Sequence, residues 1–535
     1  MFTTLSLLFA LAPASNAGDT FDLVRGAHRF GTDARQYAGY RLAPLGDLDG
    51  DGFGDVAVAG IGLVGTPGLL LYRGDTLGLS APPEELFDTA DDEGCCHELA
   101  VGDLDGDGLI DVIVGRRVSG PKGYIATIEV HPGDGSSFAL TPSVVLADPY
   151  KPQEQSSWGQ VFDVVGDVNG DGYDDLAVGV TRYSSTTVGQ VWIYLGGASG
   201  LSATPAFTLE APDNHTDFGE AVSKAGDVNA DGFDDLIVGN PRSTSSESKG
   251  VAYLFYGGGV QGLSSFTQLD ETNTTFEYGT TVAGGGDING DGYDDVIVAD
   301  PRECDWREEY AFFFVYWGDP VEVDKTKSQR VACGGTSCGY FGDSLELAGD
   351  VDGDGLSEVI VGVPHWGNDH AFVYRGTPSG LSASPLNWLW SDFGSKTYAT
   401  SVGPAGDLNG DGLADMLVAD TYGSADMRGA VQPWLGGPVI EGETDTAKPD
   451  TGEDTGEDTG GDTGTVDSAP DSDTPDEDSP APDAEETATP DDTGVPSEDK
   501  DGGCGCVSGE APAGAGLLAL GLLGLVGRRR RADLP

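Results

Sequence analysis

The sequence predicts an all-β fold assembled from seven copies of one sheet unit. Three observations predict it. An acidic loop running into a short apolar strand, written in one copy Gly166-Asp167-Val168-Asn169-Gly170-Asp171-Gly172-Tyr173-Asp174-Asp175-Leu176-Ala177-Val178-Gly179, occurs seven times. The copies begin at Asp47, Asp103, Asp167, Asp227, Asp287, Asp350 and Asp407, so subtraction gives spacings of 56, 64, 60, 60, 63 and 57 residues. A period this regular marks a repeat architecture. The segment after each loop is short and β-branched, as in Asp295-Val296-Ile297-Val298, which is a strand signal. Finally, 84 Gly and only 3 Met in 535 residues fit a turn-rich β protein.

The loop itself points to a metal. Counted from the first Asp, positions 1, 3, 5 and 9 carry oxygen side chains. These are Asp47, Asp49, Asp51 and Asp55; Asp103, Asp105, Asp107 and Asp111; Asp167, Asn169, Asp171 and Asp175; and Asp227, Asn229, Asp231 and Asp235. The later copies give Asp287, Asn289, Asp291 and Asp295; Asp350, Asp352, Asp354 and Glu358; and Asp407, Asn409, Asp411 and Asp415. Position 6 is Gly in every copy, from Gly52 to Gly412, and Gly permits the positive φ that such a turn needs. Alternate oxygens on a tightly turned backbone converge, and carboxylates gathered without a cation repel. Ca2+ fits best, because it accepts six to eight oxygens in forgiving geometry, whereas Mg2+ demands a strict octahedron. The expectation is up to seven Ca2+, one per loop, with the carbonyl of position 7 (Tyr173 in the third copy) as a further ligand. An EF-hand is excluded, because position 12 is Val in all seven copies and a strand comes next. A single such loop reads equally well as a solvated turn; seven at one spacing do not.

The pattern resembles the FG-GAP repeat, the calcium-binding blade of the integrin α-subunit propeller, from about Thr20 to Val439. Its aromatic-Gly opening is present as Trp158-Gly159, Phe218-Gly219, Tyr278-Gly279 and Phe341-Gly342, and in degenerate form as Tyr398-Ala399. The first two copies depart from it, with Gly39-Tyr40 and Gly94-Cys95. A later strand ends in an aromatic-Gly cue at Tyr72-Arg73-Gly74, Tyr194-Leu195-Gly196, Tyr256-Gly257, Trp317-Gly318, Tyr374-Arg375-Gly376 and Trp434-Leu435-Gly436. The resemblance implies a seven-bladed β-propeller of four-stranded antiparallel blades over residues 18–440. A WD40 propeller has blades of about 40–45 residues, shorter than these. A solenoid uses capping repeats and no exchange between its ends.

Strand counting gives a closure. The seventh blade runs Ser401–Ala405, Asp415–Ala419 and Gly429–Trp434, and the chain then turns acidic, so its fourth strand is missing. The alternating segment Thr20–Arg25 is expected to supply it, closing the ring and removing the exposed seam between first and last blades.

The ends of the chain read differently. Residues 1–17 have an apolar run from Leu5 to Ala12 and a small-residue site at Ser15-Asn16-Ala17, the pattern of a secretory signal. Residues 441–503 repeat Asp, Thr, Gly, Glu and Pro with almost no apolar side chain. Such a segment cannot offset its ordering entropy and is expected to be a disordered spacer. Residues 504–535 join Cys504-Gly505-Cys506, an apolar stretch from Ala511 to Gly527, and Arg528 to Arg531. They are expected to form one C-terminal hydrophobic helix, a transmembrane anchor at the lower limit of bilayer-spanning length with its Arg cluster on the cytoplasmic side. This order of parts resembles the MYXO-CTERM sorting signal of myxobacterial surface proteins. The resemblance implies a sorting protease, Cys504 or Cys506 as a processing or lipid-attachment site, and a protein secreted and anchored at the bacterial cell surface.

A formal charge of -63 argues against nucleic acid as a partner. Cys333 and Cys338 are close enough in sequence to bridge a loop in an oxidising compartment, and Cys95-Cys96 could form a vicinal bridge or pair elsewhere. Six scattered His form no His-Glu-x-x-His pair, and no Gly-x-Ser-x-Gly elbow occurs. His365 and His370 share a segment with Trp366 and Asp369 and are expected in an exposed loop. No catalytic residue is therefore assigned. The expected function is adhesion or recognition of an extracellular protein or glycan. A secreted polysaccharide-acting enzyme and a structural surface-layer component are the alternatives.

Overall fold

The computed structural model describes residues between 20 and 440, apart from residue 22 and short inter-strand stretches that include 302–310, 334–339, 365–368 and 422–428. Residues 1–19 and 441–535 lie outside the described residues.

Seven antiparallel sheets succeed one another along the chain, each meandering from an inner to an outer strand. Blade 3 shows the pattern: Phe162–Gly166, Asp175–Val180, Gln190–Tyr194 and Phe207–Glu210, hydrogen-bonded in that order. The second strand is the most buried. All six residues of Asp175–Val180, Asp235–Asn240 and Asp295–Asp300 are buried. A strand covered on both faces has no need for polar alternation, which is why these segments read as unbroken apolar runs. Each first strand lies beside the first strands of its two neighbours, including blade 7 beside blade 1. The core confirms closure. Seven apolar clusters are found among the described residues, one for each pair of adjacent blades. The cluster that joins Leu408, Leu417 and Val431 to Val56, Val58 and Leu70 spans the last and first blades; an open array of seven would lack it. The aromatic blade-opening residues Trp158, Phe218, Tyr278, Phe341 and Tyr398 are all fully buried in these layers.

The N-terminal segment closes the ring, but in pieces rather than as one strand. Val24–Arg25 and Arg29–Phe30 both pair with Ala430–Leu435 of blade 7, while Thr20–Phe21 pairs with Val439–Ile440. Between Arg25↔Trp434 and Arg29↔Val431 the pairing slips by one residue. The slip lies at Gly26, whose N–H donates to the Pro433 carbonyl at 2.9 Å. Pro433 has no N–H to return, so the ladder breaks there.

A one-residue bulge ends the first strand immediately ahead of the acidic loop in six blades, for example between Val164 and Gly166. Bulges re-aim the chain, and here they turn the loop to one end of the ring.

The expected fold needs one correction. Among the described residues helical structure is limited to 3-10 turns such as Lys325–Lys327, and no helix is long and apolar enough to cross a membrane. The C-terminal hydrophobic helix, and with it the transmembrane anchor, is set aside. Its segment, 504–535, lies outside the described residues. The apolar stretch is also 17 residues long by subtraction and holds Pro512 and five Gly between Gly514 and Gly527, which lowers helix propensity. The signal segment 1–17 and the acidic spacer 441–503 likewise lie outside the described residues.

Candidate metal centre

Each acidic loop is wound around its own first carboxylate. In blade 1, Asp47 Oδ1 accepts the Gly50 and Asp51 amides at 2.8 and 2.9 Å, and Oδ2 accepts the Gly52 amide at 2.9 Å. Blade 7 repeats this, with Asp407 accepting from Gly410, Asp411 and Gly412 at 2.7, 3.0 and 2.8 Å. Position 5 then accepts the amide of position 7, as Asp51 does from Phe53 at 3.0 Å. The chain can turn this tightly because positions 4 and 6 adopt positive φ, 77° and 93° at Gly50 and Gly52. Ala230 takes up the same conformation in blade 4 at φ 54°.

Position 9 fastens the loop to the blade. Asp55, Asp111, Asp175, Asp235, Asp295, Glu358 and Asp415 are all buried. Each accepts the position-2 amide of its own loop and the amide of the Gly just past the third strand, at 2.7 to 3.3 Å. This explains the aromatic-Gly cue. A Cβ on Gly257 would lie 2.3 Å from the Asp234 carbonyl, so only glycine lets the strand end come close enough.

The electrostatics are those of an acid cluster. Carboxylate oxygens of Asp47, Asp49 and Asp51, of Asp103, Asp105 and Asp107, and of Asp350, Asp352 and Glu358 lie within 4.8 Å of one another. These clusters can chelate a divalent ion. In blades 3, 4, 5 and 7 an Asn replaces the position-3 acid, and the amide oxygens of Asn229, Asn289 and Asn409 accept the position-5 amide at 2.8 to 2.9 Å. Burial pushes the carboxyls of Asp175, Asp235, Asp295 and Asp415 up to about 7, with the neighbouring loop acids adding to it and the two amides opposing it. Burial takes Glu358 to about 9 and Asp111 to about 6. A donor set made wholly of hard oxygens fits a hard divalent cation, which would favour the ionised form of each acid.

Comparison with known proteins decides what the repeats are. The FG-GAP repeat model matches residues 160–194, 218–255 and 278–304, and the FG-GAP-like repeat model matches 47–114 and 350–418.

All seven turns lie within stretches that match FG-GAP repeat models.

Among similar proteins, Integrin alpha-5 of Xenopus laevis is 28% identical over 220 residues, 39% of this chain and 20% of that protein. Integrin alpha-V of Gallus gallus is 30% identical over 226 residues, 40% of this chain and 20% of that protein. Integrin alpha-4 of Xenopus laevis is 32% identical over 167 residues, 30% and 15% respectively. The chain thus spans about a fifth or less of the length of these relatives, in an integrin-α-like propeller. A solved structure, the Dos1 propeller, aligns at 11% identity with a TM-score of 0.40, covering 78% of this chain and 96% of that one.

The FG-GAP turns also touch one another, through a residue that sequence reading passed over. Position 8 of one turn donates its amide to the position-1 carbonyl of the preceding turn at six junctions. Asp234 N to Asp167 O is 3.1 Å, and Gly54 N to Asp407 O, across the closure, is 2.6 Å. In blades 3, 4 and 5 position 8 is itself Asp. Its side chain returns the contact: Asp174, Asp234 and Asp294 accept the amides of Asp103, Asp167 and Asp227 at 2.9, 2.8 and 3.0 Å. The signal was present as the doublets Asp174-Asp175, Asp234-Asp235 and Asp294-Asp295.

Other expected residues fall elsewhere. His370 is not in a loop. It begins the strand His370–Tyr374, buried and stacked on Trp388 at 5.3 Å, while His365 lies outside the described residues. Cys96 and Cys333 are each disulfide-bonded, but Cys338, Cys504 and Cys506 lie outside the described residues. The blade 1 opening is Ala38-Gly39 rather than Gly39-Tyr40, because Gly39 has the positive φ of 96° and stands eight residues before Asp47. The family matches end at residue 418, and they identify no extracellular protein or glycan ligand and no sorting protease. With no membrane-crossing helix among the described residues, the expected partners and the surface-anchored location are set aside.

Proposed function

We propose that this chain is a calcium-stiffened ligand-recognition module, with up to seven Ca2+, one in each FG-GAP turn. Positions 1, 3, 5 and 9 are the ligands, from Asp47, Asp49, Asp51 and Asp55 in blade 1 to Asp407, Asn409, Asp411 and Asp415 in blade 7. The observation that carries this reading is the buried position-9 acid. Burial and the neighbouring loop acids raise its pKa, and a divalent cation among the converging oxygens would hold it ionised. Calcium suits the site because oxygen donors in a flexible turn meet its loose geometry. It acts on structure, since the turn joins two strands of one blade and touches the next blade. Affinity in the range of extracellular modules, about 10⁻⁴–10⁻³ M, is sufficient for that role.

Antiparallel strands put the connections between second and third strands at the opposite end of the ring from the turns. Loops on a rigid scaffold are where recognition sits, and integrin-α likeness supports a binding role for that face. Isothermal titration of the purified chain is expected to give saturable calcium uptake, reduced when Asp103, Asp105 and Asp107 are changed together to Asn. EDTA is expected to lower the melting temperature by linkage. Equal melting in calcium and in EDTA would contradict the proposal.

A further inference from the structure

The residue immediately before the cue glycine that follows the third strand differs from blade to blade. By strand register it is Arg73, Pro132, Leu195, Tyr256, Trp317, Arg375 and Leu435. Two of these seven are cations, and both reach into the acidic turn of their own blade. Arg375 Nε lies 2.7 Å from Asp352 Oδ2, an ion-pair contact without hydrogen-bond alignment. Its Nη2 donates to Asp354 Oδ2 at 2.8 Å. The guanidinium therefore spans positions 3 and 5. Arg73 Nη1 donates to Asp55 Oδ2 at 2.8 Å and lies 3.6 Å from Asp49 Oδ2, spanning positions 9 and 3; its Nη2 donates to the Ser136 carbonyl and lies 3.9 Å from Glu84.

We propose that Arg73 and Arg375 are built-in cations that oppose a divalent ion in the blade 1 and blade 6 turns, leaving these two weaker calcium sites than the four-acid turn of blade 2. The inference rests on the calcium reading of the turns. Two facts support it. Each guanidinium engages two of the four side chains that would ligate the ion, in a planar fork suited to carboxylates. Each also occurs where position 3 is Asp rather than Asn. Blade 2 has the same extra acid, Asp105, but Pro132 at the register position. It keeps four carboxylates with no internal cation at that position and is therefore the tightest site.

The test uses the full chain titrated with calcium at low salt, as wild type and as Arg73→Leu, Arg375→Leu and the double variant. Leu is the residue that blades 3 and 7 carry there. A unit positive charge some 4 Å from a divalent ion weakens binding at least about tenfold even at the dielectric of water. Each substitution is thus expected to convert one weak site into a tight one, and the double variant to gain two. Arg375→Lys keeps the charge but loses the fork, and is expected to tighten the site less than the Leu variant does. Arg375→Gln keeps the length without the charge and gives the same reading where the Leu variant is unfolded. Unchanged site number and affinity in folded Leu and Gln variants would overturn the proposal. A chain that takes up no calcium in any form overturns the metal reading and this inference with it.

Discussion

Asp415 Oδ1 accepts the Gly436 amide at 2.7 Å, and its Oδ2 accepts the Leu408 amide at the same distance. One buried carboxylate thus ties the acidic turn of blade 7 to the end of the third strand. Each buried donor left without an acceptor costs about 1–3 kcal/mol. Asp415→Ala should therefore destabilise the ring by about 2–5 kcal/mol, read as a lower urea midpoint at unchanged slope. Asp415→Asn keeps one acceptor oxygen and should lose less. Wild-type stability in the Ala variant would contradict the assigned role.

The same acids predict an inverted pH dependence. An ordinary Asp ionises near 3.9, whereas burial pushes Asp175, Asp235, Asp295 and Asp415 up to about 7 in the folded chain. Between these values the folded state binds more protons than the unfolded state, so stability falls as pH rises. In EDTA the melting temperature should decline from about pH 4.5 to about pH 7.5. Calcium favours the ionised acids, so the gap between the calcium and EDTA melts should widen over that range. A gap that is constant with pH would speak against metal contact at position 9.

Much of this was legible in the sequence because the repeats carry their own chemistry. Asp167 and Gly172 recur at fixed offsets, and the buried run Leu176-Ala177-Val178 comes at once after them; together they fix one turn and one strand per blade. That the N-terminal segment completes blade 7 was readable by strand counting, although only Val24–Arg25 of Thr20–Arg25 does so, together with Arg29–Phe30. Its break at Gly26 was not, because it depends on Pro433, about 400 residues away in the chain. Asp234 was passed over for a similar reason. Within one repeat it is a surface acid beside a ligand, and only the neighbouring blade gives it a partner. The arginines at 73 and 375 read as variable residues ahead of a glycine until the fold places them over the acids of their own blade.

The closure at Gly26 is open to a direct test. A Cβ there would stand 2.5 Å from Pro433 Cγ, and neither ring nor backbone can easily yield. Gly26→Val should cost about 1–3 kcal/mol through overpacking. Because the segment completes blade 7, deleting residues 18–30 should lower the melting temperature of the whole ring in a single transition. A local loss with an unchanged main melt would mean that the N-terminal strand decorates the ring without closing it.

Asp174 and Asp234 supply the last prediction. Each carboxylate accepts the position-1 amide of the preceding blade, from Asp103 at 2.9 Å and from Asp167 at 2.8 Å. Asp174→Ala and Asp234→Ala should each cost about 1–3 kcal/mol for the amide left without its acceptor. The two acids also repel: burial is the first cause that raises the Asp174 carboxyl, and the charge of Asp234 adds to it. Either single substitution relieves that repulsion, which masks part of its own cost. The double substitution can relieve it only once. Asp174→Ala combined with Asp234→Ala should thus cost more than the sum of the single changes, by an interaction of about 0.5–3 kcal/mol in a double-mutant cycle. Because the repulsion needs both charges, the excess should vanish at pH 4 and shrink in high salt. Strict additivity at neutral pH would place the junctions too far apart to feel each other.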